Sequence, residues 1–419
     1  MVNLPADFVA ETRRIMGDER FNRYLGAFDE EAPTSVRVNV RREGVRREEV
    51  EEQVPWCKEG FYLTERPQFT FDPLLHAGCY YVQEASSMFV THILRNYTSS
   101  TPYSSTPPKL ALDLCAAPGG KSTALRSVLP EDCVLVSNEP MGNRAQILLE
   151  NITKWGAPNC IVTNNYPRDF KKAKLKFDVI LCDVPCSGEG MFRKDPATIS
   201  EWSMQNVEKC WQLQREIVAD AWECLNPGGL FIYSTCTFNT KENEENIRWI
   251  LENFDAEVLD IPIDPSWDIT GSLLEGFTAP VYRFIPGITR GEGLFACALR
   301  KRGDEEGRSK ERRSMEMSFA KGIKALKVLE SSNLVPPYSF SPYSSTPQVD
   351  VDYETALQYL RGEALVLPPD TPRGIVTITY KGQPLGPAKN IGNRANNLYP
   401  KAWRIKSTHL PSEAPKVLI

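Results

Sequence analysis

Histidine is almost missing from this 419-residue chain: His76, His92 and His409 are the only three, and they stand far apart in sequence. None of the eleven cysteines forms a C-x-x-C pair, and the nearest two, Cys182 and Cys186, have no histidine close by in sequence. A structural zinc site needs four closely spaced ligands, so no metal is expected. The opening MVNLPADFVAETRRIMGDE lacks the apolar stretch of a signal peptide, and no later run is long enough to cross a membrane. A reducing cytoplasm is therefore the expected compartment, with the cysteines as free thiols rather than a disulfide frame. Net positive charge is also lacking. At −5, the total speaks against a surface that binds nucleic acid everywhere.

The charge is unevenly spread. From Thr371 to His409 there are seven Lys or Arg and no acid, with Tyr380, Tyr399 and Trp403 between them. Basic residues interleaved with aromatics suit RNA, whose phosphates take the charge and whose exposed bases stack. They equally suit a solvated basic face whose aromatics belong to a core. The candidates for RNA contact are Arg394, Lys401, Trp403 and Arg404. The pairs Arg13–Arg14, Arg41–Arg42 and Arg46–Arg47 lie among acids and read as solvated surface.

The first 75 residues are mixed, with a helix expected over Ala6–Met16 and a strand over Ser35–Val40. A loop is expected over Tyr97–Lys109, and its PYSSTPP nearly repeats at Pro342–Gln348 as a second Ser/Pro spacer. Between the spacers, strands expected at Leu110–Cys115, Val134–Glu139, Cys160–Asn164, Phe177–Asp183 and Leu230–Thr235 alternate with helices. The helices are Met141–Trp155, about Glu201 to Leu225, and one after Asn239, which can cap it with Glu242 three residues on. Alternation of this kind means a parallel sheet covered on both faces. Two further strands near Glu257–Ile261 and Leu294–Leu299 fit an antiparallel edge. The charged run Arg300–Arg313 marks a boundary. The expected domains are 1–75, 76–302 and a β-rich 303–419, so that a chain cut near Gly303 should still hold its small ligand.

Two segments at the strand ends carry chemistry. In LALDLCAAPGGKS (Leu110–Ser122) a strand meets a glycine-bearing turn and a helix, which aims backbone amides and a helix N-terminus at a ligand. It is not a P-loop, because position 115 is cysteine where that pattern needs glycine, and it is not G-x-G-x-x-G either. Glu139 ends the next strand, where an acid can bind both ribose hydroxyls of a nucleoside. Farther on, DVPCSGEG (Asp183–Gly190) and Ser234-Thr235-Cys236 each end an apolar run at a polar turn. Open α/β sheets put their chemistry at that edge. The other nine cysteines read as inert small hydrophobes. Cys186 and Cys236 read instead as reactive thiols, and position leaves open which of them attacks.

These motifs resemble the RNA (cytosine-5) methyltransferases of the Nop2/Sun (RsmB/Nop) family. The likeness runs through LDLCAAPGGKS, FDVILCDVPCSGEGMFRK and YSTCTFNTKENE, with HAGCYYVQEASSM upstream, over about residues 30 to 300. The ending KNIGNRANNLYPKAWRI is similar to the bacterial RsmF-like branch, which acts on small-subunit ribosomal RNA and carries a PUA-like C-terminal domain. The resemblance implies a Rossmann-like S-adenosylmethionine-dependent sheet between an N-terminal RNA-binding extension and that β-rich domain. It implies that Cys115, Ala116, Ala117, Pro118, Gly119, Gly120 and Lys121 hold S-adenosylmethionine, that Glu139 takes the ribose and that Asp183 lines the cofactor and base pocket. Cys236 is then the nucleophile and Cys186 helps release product. Where the family commonly has an aspartate near the adenine, this chain has Asn164, Asn165 and Tyr166. The implied partner is RNA, 16S ribosomal RNA or the small subunit, met by a monomer without membrane or metal. A DNA cytosine-5 methyltransferase attacking through Cys186 would have no need of Cys236. An assembly factor without catalysis would need neither thiol.

Overall fold

The computed structural model describes residues 2–42, 52–99, 107–303, 318–329, 346–407 and 409–418. The chain begins with helices α1 (Ala6–Met16) and α2 (Asp18–Gly26), whose buried Phe8, Met16, Phe21 and Tyr24 lie on one side of each. They pack on Phe192, Trp202 and Phe238, which belong to the central part of the chain. A three-stranded sheet follows, with β1 (Thr34–Val38) between β2 (Gly60–Leu63) and β3 (Tyr80–Val82). The short helix α3 (Pro73–His76) precedes β3, and α4 (Phe89–Ser99) follows it. Tyr97, expected in a loop, instead lies buried in the last turn of α4 and donates its hydroxyl to Gly228 O at 2.7 Å. The rest of that spacer through residue 106, the second spacer before Thr346, and the Arg46–Arg47 pair lie outside the described residues.

The apolar runs form the central sheet. Its strands are β4 (Leu110–Asp113), β5 (Val134–Asn138), β6 (Cys160–Thr163), β7 (Phe177–Asp183), β8 (Leu225–Thr235), β9 (Ala256–Val258), β10 (Tyr282–Phe284) and β11 (Leu294–Lys301). Their order is β10-β11-β8-β7-β4-β5-β6, with β9 also on β11. The five strands from β8 to β6 are parallel, and β9, β10 and β11 make the expected antiparallel edge. Alternate residues face opposite cores. Ala111, Val179, Leu181 and Ile232 meet α4 and α5 (Gly120–Val128), while Leu112, Ile180, Phe231 and Tyr233 lie in the opposite core. Burial on both faces is why these strands read as unbroken apolar runs. The other connections are α6 (Gly142–Trp155), α7 (Pro167–Lys172), α8 (Ala197–Glu201), α9 (Met204–Glu223) and α10 (Glu244–Asn253). Trp202 and Ser203 split the single helix expected from Glu201: Trp202 turns to extended backbone, and the Ser203 hydroxyl caps α9 by accepting from Asn206 N–H.

Residues 318–329 lie past the expected boundary yet pack on this sheet. Leu326 is buried in the core that holds Phe170 and Leu175. Val328 bridges antiparallel to Thr163, and Leu329 N–H donates to Val162 O at 2.8 Å, so the segment pairs with the free edge of β6. The C-terminal part has a four-stranded sheet, β12 (Gln348–Asp350), β13 (Gly374–Tyr380), β14 (Gln383–Asn390) and β15 (Ala395–Asn397), and the helix α11 (Tyr353–Arg361). Its core is continuous with the N-terminal sheet: Leu357, Leu360, Ile378 and Tyr399 share one cluster with Val36, Leu74 and Tyr80.

The deepest ion pair joins α10 to the antiparallel edge. Arg283 and Glu244 side chains are 1% and 0% exposed, with Arg283 Nε donating to Glu244 Oε1 at 2.8 Å and Nη1 to Phe238 O at 2.7 Å. Arg283→Met leaves a buried carboxylate without its ion-pair partner, with Leu273 N–H still donating to Oε1 at 3.0 Å, and denaturant titration should register a loss of about 3–5 kcal/mol. A change below 1 kcal/mol would show that water reaches the site.

Candidate active site

Strands β7 and β8 run parallel with Asp183 opposite Ser234, so the turns after them leave the sheet side by side. Cys186 and Cys236 meet there, their sulfurs 3.2 Å apart, and Cys236 N–H also donates to Cys186 Sγ at 3.3 Å. The hydrogen bond to Cys236 and burial together hold the Cys186 thiol well above the usual thiol range. At that distance either thiol can donate to the other sulfur. Burial likewise raises the pKa of all nine other cysteines.

Two buried carboxylates fasten the turns together. Glu242 accepts from Ser187 N–H at 3.1 Å, Gln214 Nε2 at 2.6 Å and Asn239 Nδ2 at 2.8 Å. Glu189 accepts from Trp202 Nε1, Asn239 Nδ2 and the N–H groups of Phe238 and Asn239, at 2.7–3.0 Å. Asn239 lies between the two acids. Its Oδ1 accepts from Glu242 N–H at 2.9 Å, but within a turn: α10 begins at Glu244 with Asn243 at its N-cap, so Asn239 is not the expected helix cap. Gly190 must be glycine for space: a Cβ there would fall 2.7 Å from Gly293 Cα and 2.9 Å from Cys236 O. Glu189, Glu242 and Gln214 carry this geometry and were not legible as site residues. Their one sequence signal is a cluster of acids and amides beside the Pro-Cys and Thr-Cys turns.

On the other side of Asp183 is the glycine turn. Asp183 accepts from Ser234 Oγ at 2.6 Å and from Lys121 Nζ at 2.8 Å, so it links the thiol edge to the first turn of α5. Burial pulls the Lys121 pKa down, but the charge and hydrogen bond of Asp183 outweigh it and leave it raised. Residues Cys115–Gly119 form the turn itself, with a cis Ala117–Pro118 bond and Gly119 at φ +114°. Asp113 beneath it accepts from Ser122 Oγ at 2.6 Å, and burial pushes its carboxyl up to about 7. Arg37 of β1 reaches this turn from the N-terminal sheet. It is fully buried, donates to Gln83 Oε1 at 2.8 Å and Gly120 O at 3.3 Å, and lies over the Trp155 ring at 4.5 Å. Its burial lowers the guanidinium pKa to about 10. An arginine inside the apolar alternation of SVRVNV was the available hint.

Glu139 is 1% exposed at the end of β5. Its Oε1 accepts from Met141 N–H at 3.0 Å, while Oε2 has no hydrogen-bond donor among the described residues and only the Arg144 guanidinium 3.4 Å away. A buried carboxylate oxygen of this kind fits the hydroxyls of a ribose. Beside it, Asn138 holds three strand ends together, donating to Leu114 O and Asn165 O and accepting from Thr163 Oγ1. Asn164 Nδ2 donates to Glu139 O at 2.8 Å and Pro140 O at 3.0 Å, and Tyr166 is exposed. The four C-terminal candidates lie away from the thiols. Arg394 and Lys401 are exposed, Trp403 is half-buried edge-on to Tyr399 at 6.0 Å, and Arg404 packs its Nε into the space above Gly362. Tyr380 and Tyr399 are core.

With this geometry, three family models match: 16S rRNA methyltransferase RsmB/F over residues 104–300, the N-terminal domain of 16S rRNA methyltransferase RsmF over 4–85, and the methyltransferase RsmF PUA domain over 346–405. The ribosomal RNA small subunit methyltransferase F of Pectobacterium atrosepticum is 34% identical over 319 residues. That alignment covers 72% of this chain but 63% of the relative, less than two thirds of its length. The protein of the same description from Escherichia fergusonii is 31% identical over 415 residues, covering 83% of this chain and 84% of the relative. A methyltransferase homolog protein from Pyrococcus horikoshii has a crystal structure that matches with a TM-score of 0.57 and 29% identity, over 70% of this chain and 94% of that one. The Rossmann-like methyltransferase sheet with a PUA domain behind it is thus the fold.

The raised Asp113 carboxyl makes stability depend on pH. In the unfolded chain it would titrate near its usual value of about 3.9. The folded protein therefore holds the extra proton between there and about 7, and that stabilisation is lost as pH rises through the folded value. Asp113→Asn imitates the protonated acid, so its melting temperature should fall less than that of the unaltered protein between pH 5 and pH 8. Equal slopes for the two would sink this assignment.

Proposed function

The chain belongs to the RsmB/F family of 16S rRNA methyltransferases, and from that premise we propose that it methylates carbon 5 of a cytosine in 16S ribosomal RNA, in the cytoplasm, through a covalent adduct with Cys236. The observation that carries this reading is the pair of thiols 3.2 Å apart beyond β7 and β8, tied to the glycine turn by Asp183. S-adenosylmethionine, when bound, supplies an electrophilic methyl group. Residues Cys115–Lys121 would hold it together with Glu139, whose buried unsatisfied oxygen suits the ribose.

Carbon 5 of cytosine is a poor nucleophile. Addition of the Cys236 thiolate to carbon 6 forms a carbon–sulfur bond and turns the ring into an enamine, so one hard step becomes two easier ones. When Cys236 is the attacking thiolate, Cys186 S–H is the donor that faces it. Asp183, held between Ser234 and Lys121, is an acceptor for the exocyclic amine that distinguishes cytosine from uracil. After methyl transfer, the proton on carbon 5 must leave before the carbon–sulfur bond can break. Once Cys236 is bonded to carbon, Cys186 gives its own proton to solvent, and the resulting thiolate takes the carbon 5 proton. Expulsion of the Cys236 thiolate then regenerates the pair. A target inside a stem must be flipped out first, at a cost of a few kcal/mol.

Denaturing gel electrophoresis after incubation with 5-fluorocytosine RNA and S-adenosylmethionine tests the order of roles. The unaltered protein should form a covalent band, Cys236→Ala none, and Cys186→Ala should accumulate adduct on ordinary cytosine RNA. A band that survives Cys236→Ala but not Cys186→Ala would reverse the assignment.

The exposed charges Arg394 and Lys401 of the C-terminal domain are proposed phosphate contacts. Each charge-removing substitution should flatten the slope of log K against log salt by about 0.7–0.9. An unchanged slope for the double variant would move the RNA path elsewhere.

A further inference from the structure

Beyond β6, the nucleoside end of the site is closed by a segment from outside the parallel sheet. Asn164 and Asn165 follow β6, next to the Glu139 turn that follows β5. The carboxamide nitrogen of Asn164 is spent on Glu139 O and Pro140 O, at 2.8 and 3.0 Å. Its oxygen accepts from Lys327 Nζ at 2.6 Å. Three further bonds hold the backbone of Lys327 in place. Asn164 N–H donates to Lys327 O at 2.9 Å, Asn165 Nδ2 to the same oxygen at 3.1 Å, and Lys327 N–H to Asn165 Oδ1 at 2.9 Å. On either side, Leu326 is buried under the sheet and Leu329 packs in the cluster with Ala116, Ala117 and Val162. The cofactor turn, the strand carrying the ribose acid and residues 326–329 thus share one packed unit.

Resting on the S-adenosylmethionine reading above, we propose that residues 326–329 are the nucleoside-side wall of the cofactor pocket and that Lys327 is its positioning and specificity-determining residue, the juxtaposition being Lys327 Nζ on the Asn164 carboxamide that braces the Glu139 turn. The chemistry of the wall follows from its donors. Asn164 has its nitrogen and oxygen engaged, whereas an ammonium has three donors and spends one on Asn164. Lys327 is exposed, so the remaining donors face outward from the bound carboxamide. They suit the acceptor ring nitrogens of a purine, and they suit a keto oxygen at the six-position at least as well as an amino group. A pocket walled in this way tolerates an inosine-type ligand. The expectation that a chain cut near Gly303 would hold its cofactor unaided does not follow once this wall lies at 326–329.

Calorimetric titration of the full chain with S-adenosylhomocysteine, and with its inosine analogue, tests the proposal. Lys327→Ala, an exposed position, should weaken S-adenosylhomocysteine binding about fivefold, the worth of one hydrogen bond, and weaken the inosine analogue more. Lys327→Arg should restore both. Leu329→Pro, which removes the N–H donor to Val162 O, should lower affinity in the same direction. In methyl transfer, Lys327→Ala should raise the KM for the cofactor and leave kcat in place. If the unaltered chain binds the ligand and both variants bind it equally well, the wall is wrong and the functional reading stands. If the unaltered chain binds no S-adenosylhomocysteine, the functional reading itself fails and this inference with it.

Discussion

The parallel register of β7 and β8, with Asp183 opposite Ser234, is the constraint on which the site depends. It sends two turns off the sheet at one level, which places their thiols in contact and makes Ser234 a hydrogen-bond donor to Asp183. From Asp183 a second bond passes to Lys121 and so to the glycine turn. A slip of two residues would separate the sulfurs and unpair the acid at once, since strand residues advance by about 3.3 Å each. The thiol pair and the glycine turn are therefore not two features that happen to be adjacent. One ladder positions both.

The turns need fastening because neither is regular structure. Glu189 and Glu242 do this from below with backbone and amide donors, and Asn239 shares its carboxamide between them. Buried acids without ion-pair neighbours are costly unless their hydrogen bonds are complete. Here both oxygens of each acid are engaged. The cost shows in the Glu242 carboxyl, which burial pushes up to about 7. Low dielectric strengthens each such bond, so the clamp holds the sulfurs with less play than solvated side chains would.

The three expected domains are less independent than their composition suggests. Arg37 reaches from the N-terminal sheet to the first turn of α5, and α1 and α2 pack against Phe238 just after Cys236. The C-terminal sheet shares a core with β1 and β3. Residues 326–329 return to the outer edge of β6, which is the edge of the parallel strands among the described residues. Such an edge seeks a partner. This chain supplies its own, and the partner arrives beside the Glu139 turn.

Much of the architecture was legible locally. Strands buried on both faces show as apolar runs, β–α alternation implies parallel order, and glycine turns with terminal acids mark the working edge; Cys115–Lys121, Glu139, Asp183, Cys186 and Cys236 could all be placed on that basis. The RNA candidates were harder, because an aromatic between basic residues has the same sequence whether it stacks on a base or, like Tyr380 and Tyr399, fills a core. The site contacts of Arg37, Glu189, Gln214, Glu242 and Lys327 were not legible. Each acts through partners 28 to 163 residues away, and no local pattern encodes which distant groups a polar side chain will meet. The sequence by itself determined the elements, the edge and the two thiols, since these follow from periodicity and backbone preference. Only the tertiary structure decided how near the two sulfurs lie, which buried acids hold their turns and what pairs with the edge of β6, because those depend on burial and hydrogen-bond completion across chain-distant contacts.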